Sequence, residues 1–288
     1  MIAAALLHPD VSPGVIDRFR SSGVDIEILD NLEHAENVSA ALIFGGDGTV
    51  HRHLAQLHQQ KIPMLVVPTG SGNDFAKALG IRSLETAVRI WEQFCAAEKN
   101  TDGRKINEID LGVIRANGQE KLFCCVAGIG MDAEANARAN RMPRWLKSRG
   151  GYVLAALQSL IAFRAAEMNI TAEEREMQRS TFFIAIGNAR SYGGGMKVTP
   201  QAALDDGLLD ICIVSKMNKL KLLCWVPTIF FGKHLRLKEV EYFQTTQLRI
   251  DAQRRLDVYA DGECVGQTPV EIGLIRQGLR VIVPAGAL

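Results

Sequence analysis

The stretch Ala40-Ala41-Leu42-Ile43-Phe44-Gly45-Gly46-Asp47-Gly48-Thr49 decides the fold. Five consecutive apolar residues stopped by a pair of glycines read as a buried strand, and the pattern over residues 50–60 reads as a helix. The same arrangement follows at once. Residues 63–67 read as a strand, Pro68-Thr69-Gly70-Ser71-Gly72 as a loop, and residues 73–79 as a helix. Working backwards, residues 3–7 and 25–29 read as strands around a helix at 13–22. Short strands alternating with helices predict a mainly parallel sheet with helices on its faces. Both glycine loops then fall at the carboxyl ends of strands, where open α/β sheets bind ligands.

Beyond a turn-rich hinge at Lys99-Asn100-Thr101-Asp102-Gly103 the texture changes. Strands are expected at 108–114, 121–127, 181–187, 209–214, 247–250, 257–260 and 280–283, and helices at 151–164 and 219–231. A second, antiparallel β domain is the natural reading. The 288 residues contain 47% hydrophobic and 23% charged side chains, which excludes a disordered or collagenous chain. Thirty-three basic residues against 32 acidic ones give a net charge of +1, which argues against bulk attraction to nucleic acid. Six cysteines lack zinc-site spacing and are expected to be reduced, mostly buried and cytosolic. No signal peptide is read at the N-terminus. The longest uncharged apolar stretch, 222–232, is about half of the roughly 20 residues a spanning helix needs, so no transmembrane segment is expected.

The loops carry the chemistry. Gly45, Gly46 and Gly48 let a phosphate approach bare backbone N–H groups, while Asp47 and Thr49 add a carboxylate and a hydroxyl. A tight turn needing glycine is the plainer alternative. Gly70, Ser71 and Gly72 stand ahead of a helix N-terminus with its partial positive charge. Capping by Ser71 or Asn73 alone explains less, because two such loops occur on neighbouring strands. Neither loop matches a P-loop or a Gly-x-Gly-x-x-Gly dinucleotide motif. Of His51, His53 and His58 on the following helix, His51 and His58 lie near one face, and a zinc site there lacks a third ligand.

Gly45 to Thr49 with Pro68-Thr69-Gly70-Ser71-Gly72-Asn73-Asp74-Phe75-Ala76-Lys77 resembles the diacylglycerol kinase catalytic-domain family, which includes bacterial lipid kinases and the sphingosine and ceramide kinases. Ile109-Asp110-Leu111-Gly112, Gly187-Asn188 with Gly193 to Lys197, Pro200 through Asp210, and Asp261-Gly262-Glu263 with Thr268-Pro269 agree in order. The resemblance covers almost the whole chain. It implies a nucleotide-binding α/β domain of NAD kinase/diacylglycerol kinase type over 1–108, to which 277–288 return, and an antiparallel β-sandwich over 109–276 that binds lipid. ATP is the implied donor, with Mg²⁺ neutralising its phosphates. Gly45, Gly46, Asp47, Gly48, Thr49, Gly70, Ser71, Asn73 and Asp74 match positions that hold the nucleotide, and Asp47 also steers the metal. Glu263 matches the proton acceptor, and Asp74 and Asp110 match acids that organise metal and water. For Glu263 the plain alternative is a solvated hairpin turn, since Asp-Gly favours one anywhere.

Leu204-Asp205-Asp206-Gly207-Leu208 resembles a loop that binds a structural Mg²⁺ or Ca²⁺, with Asp206 as side-chain ligand and the carbonyls of Ala203 and Leu208 beside it. An Asx-turn is the alternative. A lipid acceptor implies a protein peripheral to the inner face of the membrane, working in the cytoplasm in phospholipid synthesis. An apolar surface with basic neighbours is expected. Arg138 to Arg149 around Trp145, and Leu222 to Phe231, are the candidates for that surface, set against a solvated loop and a core-facing helix broken at Pro227. A homodimer is an open option. Where many members carry Asn-Pro-x-Ser-Gly, this chain has His8-Pro9-Asp10-Val11-Ser12-Pro13-Gly14, and no threonine stands near Leu29-Asp30-Asn31. The expected activity is an ATP- and Mg²⁺-dependent lipid kinase, diacylglycerol or a related lipid being the acceptor. The alternatives are a kinase of a soluble nucleotide such as NAD and a sensing module without turnover.

Overall fold

A computed structural model describes residues 1–20, 24–33, 35, 37–70, 73–99, 106–131, 133–134, 159, 163–173, 175–284 and 286–287. Ser71, Gly72, the basic stretch 138–149 and most of the expected helix over 151–164 lie outside them. The chain divides into two compact units, Met1–Asp110 with Arg276–Leu288, and Leu111–Ile275.

The first unit carries strands β1 (Ile2–Leu7), β2 (Asp25–Leu29), β3 (Val38–Gly45) and β4 (Met64–Pro68), parallel in the order β2-β1-β3-β4. The register sets Phe44 beside Val67 and Gly45 beside Pro68, so the two glycine loops leave one sheet edge as neighbours. Ala3–Leu6, Ala40–Phe44 and Met64–Val67 are all buried, as continuous apolar runs require when helices cover both faces. Short helix α1 (Asp17–Arg20) sets Phe19 edge-on against Phe44, with ring centroids 5.1 Å apart. Helix α2 (Asp47–Gln60) starts three residues earlier than its apolar pattern suggests, and Asp47, Gly48 and Thr49 form its first turn. Helix α3 (Asp74–Ala78) follows the second loop.

Helix α4 (Leu84–Lys99) was not among the expected elements, although buried Ala87, Ile90, Trp91, Phe94 and Cys95 recur at helical spacing. Ser83 Oγ accepts from Thr86 N at its start (3.2 Å), and Trp91 Nε1 donates to Phe19 O (3.2 Å), fixing α4 to α1.

The second unit is antiparallel. Its strands are the main part of β5 (Asn107–Ala116), then β6 (Gln119–Phe123), β7 (Val126–Gly130), β8 (Ala166–Ala172), β9 (Arg175–Gly187), β10 (Leu209–Ser215), β11 (Val240–Thr245), β12 (Gln247–Ala252), β13 (Asp257–Ala260), β14 (Glu263–Gln267) and the first half of β15 (Val270–Val281). They run in the order β14-β13-β7-β9-β8-β12-β15, with β10 and β11 added beside β9 and a β5–β6 hairpin. From Arg276 onward β15 belongs to the first unit, where Val281 aligns with Met64 of β4.

Three expected elements divide; the helix over 13–22 becomes a 3-10 turn (Pro13–Val15) and α1. The strand over 121–127 becomes β6 and β7, because the amides of Cys124 and Cys125 between them bond a carboxylate instead of a neighbouring strand. The helix over 219–231 becomes α5 (Lys219–Trp225) and a 3-10 turn (Val226–Phe231). Pro227 supplies no N–H and its ring crowds the preceding turn.

Candidate functional site

In the first unit the two glycine loops touch through bare backbone. A Cβ added to Gly70 would stand 2.7 Å from both N and Cα of Gly46, closer than such atoms approach. A Cβ on Gly45 would collide with the Thr49 side chain, which is buried in the first turn of α2. Thr69 N donates to Gly45 O at 3.2 Å, extending the contact along both loops. Glycine is therefore required at Gly45 and Gly70 by close approach and not by a left-handed backbone.

Asp47 joins the loops to the next helix. Its Oδ2 accepts from Asp74 N (3.2 Å) and its Oδ1 from Phe75 N (3.1 Å), so the carboxylate caps the positive end of α3 from a position 27 residues upstream. Asn73 is the residue before α3, in a left-handed conformation at φ 53°, and its Nδ2 donates to Gly70 O at 2.6 Å. Asn73 Oδ1 is buried without a hydrogen-bond partner among the described residues. A buried amide oxygen left in this way, beside glycine backbone, suits a hydroxyl or another donor of a bound ligand. Glycine at 45, 46 and 70 leaves main-chain N–H groups open to approach by a phosphate-bearing group. Gly48 is exposed beside it.

Two more acids of the first unit are buried. Asp74 is 1% exposed and pairs with Lys77 Nζ at 3.2 Å. Asp110 is equally buried, and its Oδ1 accepts from Gln277 N (2.8 Å), a residue held at φ 53°. The segment His8 to Ser12 leaves β1 at the same sheet edge, its His8 N donating to Phe44 O at 2.8 Å.

In the second unit, Asp261 and Gly262 form the two-residue connection between β13 and β14, with φ of 50° and 90°. Positive φ at both positions is the hairpin turn that matches strand twist. Asp261 does more than turn the chain. Its Oδ2 accepts from Cys124 N (2.7 Å) and Cys124 Sγ (3.3 Å), and its Oδ1 from Cys125 N (2.9 Å) and Val126 N (3.2 Å). Asn188 meets the same segment, donating from N to Cys125 O (2.8 Å) and from Nδ2 to Cys124 O (3.0 Å). The Gly-Asn and Asp-Gly-Glu motifs thus converge on Cys124-Cys125-Val126, a contact spanning more than 130 residues that no local spacing announces. Glu263 is the first residue of β14 and exposed.

Cys124, Cys125 and Asp261 form the one cluster of three such ligand atoms within 4.8 Å among the described residues. Burial pushes the Cys124 thiol well up, and the nearby Asp261 and Cys125 add to it, which opposes the thiolate a metal needs. All six cysteines are free; Cys224 and Cys264 are exposed and the other four buried.

The loop over 203–208 places Asp206 at the surface, with Oδ1 accepting from Leu208 N at 3.0 Å in an Asx-turn. Asp210 lies beneath it, bonded by Tyr242 OH (2.7 Å) and Gln244 Nε2 (3.3 Å). Burial raises the Asp210 pKa and the negative field of Asp206 adds to the rise. The donors in this loop, one surface carboxylate and main-chain carbonyls, are all oxygen, the ligand type that Mg²⁺ and Ca²⁺ take.

A diacylglycerol kinase catalytic domain model matches residues 17–113, and a YegS C-terminal NAD kinase beta sandwich-like domain model matches residues 125–283. A diacylglycerol kinase of Mycobacterium tuberculosis (strain ATCC 25618 / H37Rv) is 35% identical over 284 residues, covering 94% of this chain and 89% of that one. The chain belongs to the diacylglycerol kinase catalytic-domain family. A diacylglycerol kinase of Bacillus subtilis (strain 168) is 26% identical, covering 83% of this chain and 76% of that protein. Among solved structures, a diacylglycerol kinase from Bacillus anthracis str. Sterne superposes with a TM-score of 0.71 over 99% of this chain and 98% of its own, at 16% identity. An NAD kinase from Archaeoglobus fulgidus in complex with ATP gives 0.57 over 100% and 95%, at 14% identity. At these identities the superpositions speak to the fold: a parallel α/β part and an antiparallel β-sandwich part of diacylglycerol kinase and NAD kinase type. Membership of a kinase family marks the chain as a phosphotransferase. Among the described residues no helix is long and apolar enough to cross a membrane.

Proposed function

We propose that this protein is an ATP- and Mg²⁺-dependent lipid kinase that phosphorylates the hydroxyl of diacylglycerol or a related lipid. The observation that carries the reading is the close backbone approach of Gly70 to Gly46, which brings two glycine loops together at the carboxyl ends of adjacent strands. Gly45, Gly46, Gly48, Thr49, Gly70, Ser71 and Asn73 hold the donor's phosphates in this account. Asp47 and Asp74 stand where a metal could be steered, and bound Mg²⁺ would neutralise phosphate charge. Glu263 accepts the proton of the acceptor hydroxyl as its oxygen bonds to the γ-phosphorus, and the bridging oxygen leaves with ADP. Asp206 with the carbonyls of Ala203 and Leu208 holds a structural Mg²⁺ or Ca²⁺. The names of the relatives support a lipid acceptor, and the protein would work in the cytoplasm at the inner face of the membrane.

The test is incubation of purified protein with labelled ATP, Mg²⁺ and a total lipid extract, beside a panel of soluble nucleotides including NAD. A labelled lipid that disappears with Glu263→Gln, at unchanged unfolding temperature, is expected. A labelled dinucleotide, or full turnover by Glu263→Gln, would refute the acceptor or the base respectively.

A further inference from the structure

Four large hydrophobic side chains are exposed among the described residues, and three of them fall within twelve positions: Leu220 (72%), Leu223 (44%) and Phe231 (73%). In α5 only Leu222 is buried, and in the 3-10 turn that follows none of Val226, Pro227, Thr228, Ile229, Phe230 or Phe231 is. The segment is thus only partly covered: Leu222 is buried, Trp225, Val226, Ile229 and Phe230 are half-buried, and Leu220, Leu223 and Phe231 face outward. Uncovered apolar clusters in otherwise well-packed units mark interaction sites.

The charges identify the occupant. Residues 216–238 contain Lys216, Lys219, Lys221, Lys233, Arg236 and Lys238 and no Asp or Glu, which leaves the other residues at a net −5 against the whole chain's +1. Lys233 Nζ sits 6.0 Å from the ring centroid of Phe231, the most exposed aromatic side chain among the described residues. Lys221 is tied to Glu239 by bonds of 2.7 and 2.8 Å, which anchors α5 to the strand-bearing part of the unit. A second copy presenting this same face would set cations against cations. Nucleic acid would take the cations but offer nothing to Leu220, Leu223 and Phe231. Apolar side chains flanked by lysines suit the boundary of an anionic bilayer, where acyl chains receive the first and headgroup phosphates the second.

We propose that residues 216–238 form a docking face that seats the protein on anionic lipid bilayers, Leu220, Leu223 and Phe231 entering the headgroup boundary within a collar of lysines. The proposal rests on the lipid-kinase reading for its purpose, since an enzyme whose acceptor resides in a bilayer gains turnover by lingering there.

The full chain is sedimented with vesicles of phosphatidylcholine containing phosphatidylglycerol, and with vesicles of phosphatidylcholine alone. Binding to the first, weak binding to the second and loss with added salt are expected. Lys216→Gln/Lys233→Gln/Lys238→Gln should lower partitioning roughly 100-fold, at about fivefold per cation. Leu220→Ser/Phe231→Ser should lower it about 30-fold or more. Both variants should keep the parent's unfolding temperature, because all five side chains are exposed. Parent protein that ignores anionic vesicles, variants that bind as well as the parent, or a parent dimer that Leu220→Ser/Phe231→Ser converts to monomer would each overturn the proposal. Phosphorylation of acceptor dispersed in detergent micelles is followed on the same proteins. Retained micellar turnover without vesicle binding refutes docking alone, whereas vesicle binding without phosphorylation of any lipid supports docking and refutes the kinase.

Discussion

Replacing Asp261 by asparagine should unfold the second unit earlier while leaving every other side chain intact. The carboxylate accepts from three backbone amides and one thiol, and two of those amides belong to buried cysteines. Asparagine has one acceptor oxygen and one donor NH₂. Oriented to keep Cys125 N and Val126 N, its NH₂ faces the Cys124 amide; flipped, it faces the other two. A stranded buried donor costs about 1–3 kcal/mol, and hydrogen bonds to a charged group contribute about 1.5–3 kcal/mol each. Asp261 is half-buried, so solvent offsets part of this, and a net loss of about 2–3 kcal/mol is expected. Urea unfolding followed by fluorescence or circular dichroism reads the change as a lower midpoint at unchanged slope. Asp205→Asn, at an exposed loop position, is the control and should stay within about 0.5 kcal/mol. A loss below about 0.5 kcal/mol for Asp261→Asn would refute the view that this carboxylate holds the hairpin bearing Glu263.

Gly70→Ala should destabilise by about 1–3 kcal/mol and weaken ATP binding, because its methyl must displace Gly46 backbone. Gly46→Ala, whose Cβ would find its nearest neighbours at 3.4 Å, should be milder in both, as measured by thermal unfolding and nucleotide titration. His53 and His234 have pKa values lowered by burial, so the unfolded chain binds more protons than the folded one below about pH 6.5. Stability should therefore fall as pH drops through that value, and His234→Gln should flatten the unfolding temperature–pH profile over this window. Divalent cation at about 100 times its dissociation constant should stabilise the parent by about 2.7 kcal/mol. Asp206→Asn should abolish that gain, and a chelator should reverse it.

Much of the first unit was legible because β1, β3 and β4 are buried on both faces and so appear as unbroken apolar runs. The Ala40–Phe44 run and its glycine stop alone placed a strand and a loop at a sheet edge. Helix α4 was readable in principle from its buried apolar stripe, but no glycine motif drew attention to it. The families of acids were found by type and not by role. Asp47 proved to cap α3, Asp110 to hold Gln277, and Asp261 to gather the Cys124–Val126 amides, each through a hydrogen bond to a backbone group far away in sequence.

The amino-acid order by itself set most of the strands and helices of the first unit, since these follow from local periodicity, chain stiffness and the steric freedom of glycine. It also set the kind of chemistry on offer, by bringing glycine loops, carboxylates and an Asp-Gly turn into one chain. Only the folded molecule decided which backbone N–H each carboxylate would satisfy, that Gly70 must lie against Gly46, and that Leu220, Leu223 and Phe231 would remain uncovered. Those outcomes depend on distances between residues remote in sequence, and such distances exist only once the sheets have paired.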